Sequence, residues 1–256
     1  MITGMGAVSI STNKIIKKIY DFLYKSVSLF CDYFIFVNNH DKNYFLNKLN
    51  ISKPYIQIFG AGIIKKKKFK KNFLSQKYNL EKSFNILFIG RLIEEKGFDI
   101  AIKIFKRLNI KNKKLIIVGD FDNLSFSKKK NTQILKYPGI VWIKNIEDIS
   151  EVLFFSNLFL FPSKTEGMPT VLMEALNYNL PTVTYSIPGS QDIINKNMNG
   201  YIHKVGDIKG LENSIMKIFN SEKNSFSQNY FKLVSKFSRN KIKEKIISFY
   251  EQILVK

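Results

Sequence analysis

The sequence predicts an α/β fold built on a parallel β-sheet, and two observations support this prediction. From residue 85 onward, short apolar runs alternate with segments whose apolar residues recur every three to four positions. Several of these runs stop at a glycine or a proline, as buried strands do where the chain turns into a loop. Strands that alternate with helices form βαβ units, in which helices cover both faces of a parallel sheet.

The predicted elements of this sheet follow in a regular order. Strands are predicted at residues 85–90, 115–119, 140–143, 158–161 and 182–185. Helices are predicted at residues 98–108, 149–155, 170–177 and 241–255. Residues 186–192 are interpreted as a strand-to-helix loop, and Asn199-Gly200 as a turn. In such sheets, ligands bind where the carboxyl ends of the strands meet the N-termini of the helices.

Residues 1–84 have a different organisation. Residues 15–29 suggest an amphipathic helix, whose solvated side would carry Lys14, Lys17, Lys18 and Lys25. A strand at 33–37, a helix at 41–49 and a strand at 56–59 are expected to follow. These elements are too few for a complete second α/β domain.

The cysteine count, the apolar stretches and the net charge indicate which compartment and which kinds of partner to expect. A single cysteine, Cys31, excludes a disulfide framework and fits a reducing compartment. No signal-peptide pattern is present, and the apolar stretches fall short of the ~20 residues that a membrane span needs, so a cytoplasmic protein is expected. The net charge of +21 favours polyanionic partners. The lysine run at 65–71 is either a solvated linker or a contact with an anionic membrane or another polyanion.

Two cationic side chains follow the first predicted strand. Gly90 and Arg91 end that strand, and Lys96 lies in the segment Glu95-Lys96-Gly97 that comes next. Arginine binds phosphate as a planar fork and lysine as a point charge, so the pair can converge on one phosphate group. The alternative is two solvated surface cations.

The segment after the fourth predicted strand suggests a site for a phosphorylated sugar. Pro169 suits the first position of a helix, whose positive end binds anions through backbone N–H groups. The N–H groups near that end belong to Gly167, Met168, Thr170 and Val171. Glu166 precedes the helix and Glu174 lies in its second turn, roughly 10 Å away at 1.5 Å per residue, comparable to the span from sugar to ribose across a diphosphate. A carboxylate at each end can accept hydrogen bonds from vicinal diols.

The order of these motifs along the chain closely resembles that of glycosyltransferase family 4, the retaining, metal-independent enzymes with the GT-B fold. The matching segments run from Gly90 to about Asp207 and include Leu180-Pro181 and Asn199-Gly200. The resemblance implies a Rossmann-like sheet of GT-B type. It also implies a catalytic set of Glu166, Arg91 and Lys96, in which the two cations bind the donor diphosphate and the glutamate binds the donor sugar.

The resemblance implies a wider donor-binding surface as well. Glu174 is expected to bind the ribose, and the loops at Gly119-Asp120 and Ile143-Lys144 are expected to bind the base, although a glycine usual near Lys144 is absent. The implied donor-binding set is Gly90, Gly119, Asp120, Ile143, Lys144, Gly167, Met168, Pro169, Thr170, Val171 and Glu174.

The resemblance further suggests three parts of the chain. Residues 1–84 are expected to be a partial N-terminal acceptor-side domain with a basic linker, residues 85–240 the nucleotide-sugar-binding domain, and residues 241–256 a C-terminal helix. About a hundred residues of the acceptor domain are expected to be missing at the front, including a Gly-rich loop and an active-site histidine. Neither His40 nor His203 takes the place of that histidine.

The expected function is transfer of a hexosyl unit from a nucleoside-diphosphate sugar to a glycan acceptor. The acceptor is expected to be lipid-linked, in surface polysaccharide assembly at the inner face of the cell membrane. One alternative is a catalytically incomplete nucleotide-sugar-binding fragment, or a subunit of a split transferase that an upstream-encoded half-domain completes. Nucleic-acid binding is a further alternative that charge alone favours, but no recognition motif or zinc-ligand spacing accompanies it, so no nucleic-acid partner is expected.

An Asp-x-Asp sequence raises the question of a metal. Asp120-Phe121-Asp122 follows the second predicted strand, and two carboxylates there could hold a divalent cation that bridges a diphosphate. Against this, Arg91, Lys96 and the helix end already supply positive charge, and a chance Asp-x-Asp is common. No metal cofactor is therefore expected.

Overall fold

The computed structural model describes residues 2–3, 13–64, 73–122, 133–195, 198–221 and 234–254. Within these ranges, the chain forms two parallel sheets, of three and six strands. The lysine run at 65–71 lies outside the described residues. None of the helices in the described ranges has the length and apolar content needed to cross a bilayer.

The small sheet is formed by the N-terminal part of the chain. Its strands are β1 (Ile2–Thr3), β2 (Phe34–Phe36) and β3 (Tyr55–Gln57), in that spatial order. Helix α1 (Lys14–Leu29) connects β1 to β2, and α2 (Asn39–Asn43) continues into a π-helical turn (Tyr44–Lys48). The predicted strands and both predicted helices of this region are therefore present. A buried cluster holds the sheet and the π-helical turn together, and it includes Phe34, Phe36, Phe45, Leu49 and Ile51.

Three of the four lysines predicted on the solvated side of α1 are exposed, namely Lys14, Lys18 and Lys25, but Lys17 and the apolar side of the helix lie differently from the prediction. Lys17, expected on the solvated side, has its ammonium 5.3 Å from the centre of the Tyr44 ring, on the side that faces the small sheet. The apolar residues point outward instead, with Ile15 72% exposed and Phe22 70% exposed. The placement of Lys17 was wrong because one edge of the polar side of the helix faces the rest of the chain, where Asp21 pairs with Lys48 and accepts a hydrogen bond from Tyr44.

The large sheet matches the predicted βαβ pattern. Its strands are β4 (Phe84–Ile89), β5 (Lys113–Val118), β6 (Ile140–Ile143), β7 (Leu158–Phe161), β8 (Thr182–Tyr185) and β9 (Gly200–His203). All are parallel, in the order β6-β5-β4-β7-β8-β9. The helices after α2 are α3 (Phe73–Tyr78), α4 (Phe98–Arg107), α5 (Ser150–Phe154), α6 (Thr170–Asn177), α7 (Pro188–Ile193), α8 (Ile208–Asn220) and α9 (Arg239–Leu254). From β4 the chain adds β5 and then β6 on one side of the sheet, and it adds β7, β8 and β9 on the other side of β4. The strand order therefore reverses between β4 and β7, and ligands bind at this point in sheets of this kind.

Two short segments differ from the sequence interpretation. Asn199 lies in a turn as predicted, but Gly200 begins the sixth strand. A Cβ at Gly200 would lie 2.1 Å from the Thr182 carbonyl oxygen of β8. The glycine therefore permits a close approach of two strands. The expected loop at 186–192 contains α7, which begins at Pro188, where the fixed φ of proline suits the first helical turn.

Helix α9 returns from the large sheet to the small one. Its Ile242 and Phe249 are buried in a cluster with Ile35 and Ile58. The Lys245 ammonium donates to the backbone oxygen of Gln57 at 2.6 Å. The predicted C-terminal helix thus begins earlier than expected, at Arg239, and packs on the opposite part of the chain.

Candidate functional site

The loops that leave β4 and β5 touch through two glycines. Gly119 has a φ of +138°, and a Cβ there would lie 2.0 Å from the Gly90 carbonyl oxygen. The carboxyl end of β6 joins them, since Trp142 donates from its indole nitrogen to the Gly119 oxygen at 2.8 Å and the Gly119 N–H donates to the Ile143 oxygen. The predicted loops at Gly90, Gly119 and Ile143 therefore lie side by side at the carboxyl edge of the sheet.

Charged side chains on these loops form two ion pairs. Arg91 contacts Asp122 at 2.9 Å, and Lys144 contacts Asp120 at 3.1 Å. Both carboxylates of the Asp-x-Asp sequence thus face a cation. Both pairs are well exposed, with the Arg91 side chain 60% accessible, so an incoming anion competes with these carboxylates at small cost. Among the described residues, no three His, Cys, Asp or Glu side chains form a group that could hold a metal ion.

Lys96 and Glu166 form the most enclosed ion pair of the site. The Lys96 ammonium lies 2.5 Å from Glu166 Oε1, and the two side chains are 21% and 19% exposed. Ser163 donates its hydroxyl to the same carboxylate oxygen at 3.2 Å. The structure therefore brings two of the three predicted catalytic residues into direct contact, while Arg91 lies with Asp122 on the neighbouring loop.

The segments that carry Lys96 and Glu166 are fastened to each other. The Lys164 backbone N–H donates to the Glu95 oxygen at 2.9 Å, and the Lys164 ammonium contacts Glu94 at 2.6 Å. That ammonium holds the pKa of the Glu94 carboxyl below its usual range. Gly97, with a φ of +74°, allows the closest contact, since a Cβ there would lie 2.2 Å from the Pro162 oxygen. The loops after β4 and β7 therefore form one unit at the point where the strand order reverses.

The N-terminus of α6 lies next to this unit. Pro169 is the residue just before the first helical position, Thr170, so the helix begins within one residue of the predicted start. No side chain of that residue caps the helix, which leaves the backbone N–H groups near Thr170 and Val171 at a positive end. A Cβ at Gly167 would meet no atom within 4 Å. The helix end therefore borders open space on the Gly167 side, where a ligand group has room.

Glu174 occupies the second turn of α6, and its environment differs from that of Glu166. Burial raises the pKa of the Glu174 carboxyl, and the positive charge of Arg239 lowers it by a smaller amount. Arg239 is the first residue of α9, and sequence reasoning did not connect it with the site. A partly buried carboxylate of this kind gains most from hydrogen-bond donors such as sugar hydroxyls.

Residues from the small sheet also reach the site, and sequence reasoning missed them. Asn38, fully buried at the end of β2, donates its amide to the Gly167 oxygen at 3.0 Å, a contact between residues 129 positions apart. Asn39 donates its backbone N–H and its side-chain amide to the Asp192 carboxylate of α7, at 2.7 and 2.5 Å. The available signal was a polar pair directly after a buried strand, but nothing in the local sequence indicates its partners.

Comparison with known proteins identifies relatives of this chain. Residues 70–244 match the family described as glycosyl transferases group 1. The capsular polysaccharide biosynthesis glycosyltransferase CapM of Staphylococcus aureus is 30% identical over 173 residues, which cover 65% of this chain and 46% of that protein. The UDP-Gal:alpha-D-GlcNAc-diphosphoundecaprenol alpha-1,3-galactosyltransferase of Escherichia coli is 26% identical over 241 residues, 90% of this chain and 60% of that protein. The chain thus spans about half the length of the curated relatives it matches.

Solved structures with the same fold extend the comparison. The sucrose-phosphate synthase of Thermosynechococcus elongatus superposes with a TM-score of 0.82 at 16% identity, covering 99% of this chain and 67% of that one. Anabaena HepE in complex with UDP and glucose superposes with a TM-score of 0.79 at 17% identity, covering 94% of this chain and 68% of that one. The predicted α/β fold of GT-B type is confirmed.

Proposed function

Because the chain belongs to the glycosyl transferases group 1 family, we propose that it moves a hexosyl unit from a nucleoside-diphosphate sugar to a glycan acceptor. Polysaccharide assembly at the cell surface is the proposed setting, since CapM is named for capsular polysaccharide biosynthesis. A lipid-linked acceptor is proposed because the Escherichia coli relative is named for transfer to a diphosphoundecaprenol. The observation that carries the proposal is the enclosed Lys96–Glu166 pair beside the open N-terminus of α6.

Each part of this arrangement fits one part of the donor. The diphosphate is proposed to lie between Arg91, Lys96 and the backbone N–H groups of α6, which together supply positive charge. Glu166 would then face the sugar hydroxyls, and Glu174 the ribose diol. The base would contact the loops at Gly119-Asp120 and Ile143-Lys144.

The chemistry proposed for these residues is stabilisation of the leaving group. As the bond between the anomeric carbon and the diphosphate oxygen breaks, negative charge grows on the diphosphate, and fixed cations and N–H groups beside it lower the barrier. The acceptor hydroxyl forms the new bond to the anomeric carbon on the same face of the sugar and transfers its proton to the departing diphosphate oxygen, so that the configuration is retained. These cations act in place of a metal in the proposal, and no further cofactor is invoked.

A second candidate function is donor binding without transfer by this chain alone. Two features of the described residues favour it: the two-residue strand β1 is an edge strand of the small sheet, and the apolar side of α1 is exposed. Transfer requires the acceptor to be held opposite the donor with water excluded. We propose that an α/β half-domain supplies this acceptor side.

We also propose that the protein lies peripherally on the inner face of the cell membrane. Helix α1 combines an exposed apolar stripe with Lys14, Lys18 and Lys25 along one border of that stripe. A helix of this kind lies in the plane of an anionic membrane surface, with its apolar side among the acyl chains. A lipid-linked acceptor would be reached from this position.

One experiment separates these readings. Calorimetry of the 256-residue chain with UDP, GDP and their sugar conjugates measures donor binding, and a radiolabelled-donor assay on membranes measures transfer. Binding together with transfer supports the complete enzyme. Binding without transfer, followed by transfer when an upstream-encoded half-domain is co-expressed, supports the second candidate. The absence of binding to every nucleotide sugar would contradict both.

A further inference from the structure

We propose that Asn38 is a positioning residue for the donor sugar, which orients the Gly167–Met168 peptide group from the opposite part of the chain. This inference rests on the proposed function, because it concerns the segment that would bind the donor. Asn38 is fully buried, and its amide nitrogen lies 3.0 Å from both the Gly167 oxygen and Asp41 Oδ2. Both amide hydrogens are therefore used, one within the small-sheet region and one across to the site.

The orientation of the Asn38 amide is fixed by its neighbours. Its oxygen accepts the Asp41 backbone N–H at 2.7 Å and thereby caps α2. Its nitrogen donates to the Asp41 carboxylate, which is itself only 1% exposed. A flipped amide would place its oxygen against a carboxylate and a carbonyl, so only the present orientation satisfies all partners. Asn38 thus presents a donor, and only a donor, to Gly167.

The Gly167 carbonyl is enclosed on a second side by α7. A Cβ at Gly189 would lie 2.5 Å from the Gly167 oxygen and 2.5 Å from Pro169 Cδ. The orientation of the Gly167 carbonyl group is therefore restricted by the Asn38 amide on one side and by the Gly189 backbone on the other. Because the C=O and N–H of a trans peptide point in opposite directions, fixing the Gly167 oxygen on Asn38 also fixes the Met168 N–H on the opposite side of the peptide. This N–H lies between Glu166 and the start of α6, where the proposal places the donor.

The nearby Asn39–Asp192 contact provides a natural comparison. It also joins the small-sheet region to the large sheet, through α2 and α7, but it involves neither Gly167 nor Met168. If Asn38 served only to hold the two parts of the chain together, loss of either contact would have the same consequence. If Asn38 orients the peptide, only its loss changes recognition of the sugar.

The test compares Asn38→Ser with Asp192→Asn. Serine at position 38 retains an oxygen that can cap α2 but lacks the amide that reaches Gly167. The dissociation constants for UDP and for UDP-galactose, UDP-glucose and UDP-N-acetylglucosamine are measured by calorimetry. We expect Asn38→Ser to weaken binding of the intact donor about 5- to 10-fold, the equivalent of one hydrogen bond, while UDP affinity changes less than about twofold. Asp192→Asn should leave the ratio of the two affinities at its wild-type value.

A second variant guards against a loss of folding. Asp41→Asn keeps the shape of the side chain but removes the charge that orients the Asn38 amide, so a smaller loss with the same preference for the intact donor is expected. Equal losses for UDP and for the UDP sugars in the position 38 and 41 variants, or equal effects of Asp192→Asn, would overturn the inference and leave donor binding intact. If the wild-type chain binds GDP rather than UDP, the same ratios are measured with GDP and GDP sugars. A wild-type chain that binds neither UDP, GDP nor any of their sugar conjugates would instead overturn the proposed function, and this inference with it.

Discussion

The charge of Lys96 can be removed with little change in shape by the substitution Lys96→Met. The aliphatic part of this side chain lies over Gly90, where its Cβ and Cγ are 3.8 and 3.9 Å from the position that a glycine Cβ would take. Methionine retains a similar unbranched chain, so the contact with Gly90 should persist. What is lost is the ammonium that contacts Glu166 at 2.5 Å and that would face the donor diphosphate.

The expected magnitude follows from the enclosure of this pair. A charge-assisted hydrogen bond contributes about 1.5–3 kcal/mol, and the Lys96–Glu166 pair is only about one-fifth exposed, so solvent screens it weakly. Nucleotide affinity should fall by roughly 10- to 150-fold. Thermal stability without ligand should fall too, because Glu166 would keep, among the residues that the structure describes, the Ser163 hydroxyl alone as a side-chain partner.

Arg91→Ala provides the contrast, and Arg107→Ala the control. The Arg91–Asp122 pair is exposed, so its loss should change stability by less than about 1 kcal/mol, while nucleotide affinity should fall as for Lys96. Arg107 pairs with Glu212 at 3.3 Å in a similarly exposed contact on α4 and α8, outside the site, and should change neither quantity much. Calorimetry with UDP and GDP, together with thermal melts, measures both effects. Unchanged nucleotide affinity in Lys96→Met and Arg91→Ala would remove these cations from the site.

Three further predictions concern the carboxylates and α1. Glu166→Gln should leave UDP affinity near that of wild type but weaken binding of the intact UDP sugar, as calorimetry would show; the reverse pattern would mean that the roles of the two glutamates are exchanged. Burial raises the folded-state pKa of Glu174, so the contribution of this group to stability is greatest below its unfolded pKa and is lost as pH rises through the folded value. Glu174→Gln should therefore raise the melting temperature of the ligand-free protein at neutral pH, with a gain that shrinks on acidification, while it weakens UDP binding. Anionic vesicles should retain the protein at low salt and release it at about 0.5 M salt, where the Debye screening length shortens to about 4 Å. Phe22→Ser should weaken this retention. Equal partitioning to neutral vesicles would indicate apolar insertion without a charge contribution.

Five of the six strands of the large sheet were predicted, because local sequence determines them, whereas the strand at Gly200–His203 was missed. The strands at Ile140–Ile143, Leu158–Phe161 and Thr182–Tyr185 were predicted to the residue, since each is a short run of apolar, β-branched or aromatic residues bounded by polar or turn-forming residues. Gly200 was misinterpreted because a glycine has two physical uses, a turn and a close approach of backbones, and sequence alone does not distinguish them. The inward position of Lys17 and the exposure of the apolar side of α1 were unpredictable because they depend on contacts of the helix with Tyr44 and Lys48, which lie far along the chain.

Some residues of the candidate site were likewise predictable from the sequence and others were not. Arg91, Lys96, Glu166 and the start of α6 lie at ends of predicted elements, so the topology of a parallel sheet was sufficient to bring them to one edge. The contact of Asn38 with Gly167 and the charge of Arg239 near Glu174 depend on packing between distant segments. No local pattern encodes the partner of a buried amide or of a carboxylate.

The two glutamates illustrate why these long-range contacts matter for function. Glu166 is held in the ligand-free protein by Lys96 and Ser163, so a donor sugar must share a carboxylate that already has partners. Burial raises the pKa of the Glu174 carboxyl by more than the charge of Arg239 lowers it, because the buried carboxylate is less well solvated than in water. Hydroxyl donors on a ribose would supply the missing hydrogen bonds to Glu174, whereas sugar hydroxyls at Glu166 would replace existing ones. Nucleotide binding should therefore draw most of its carboxylate contribution from Glu174, while Glu166 distinguishes one sugar from another by how well its hydroxyls substitute for the contacts already in place.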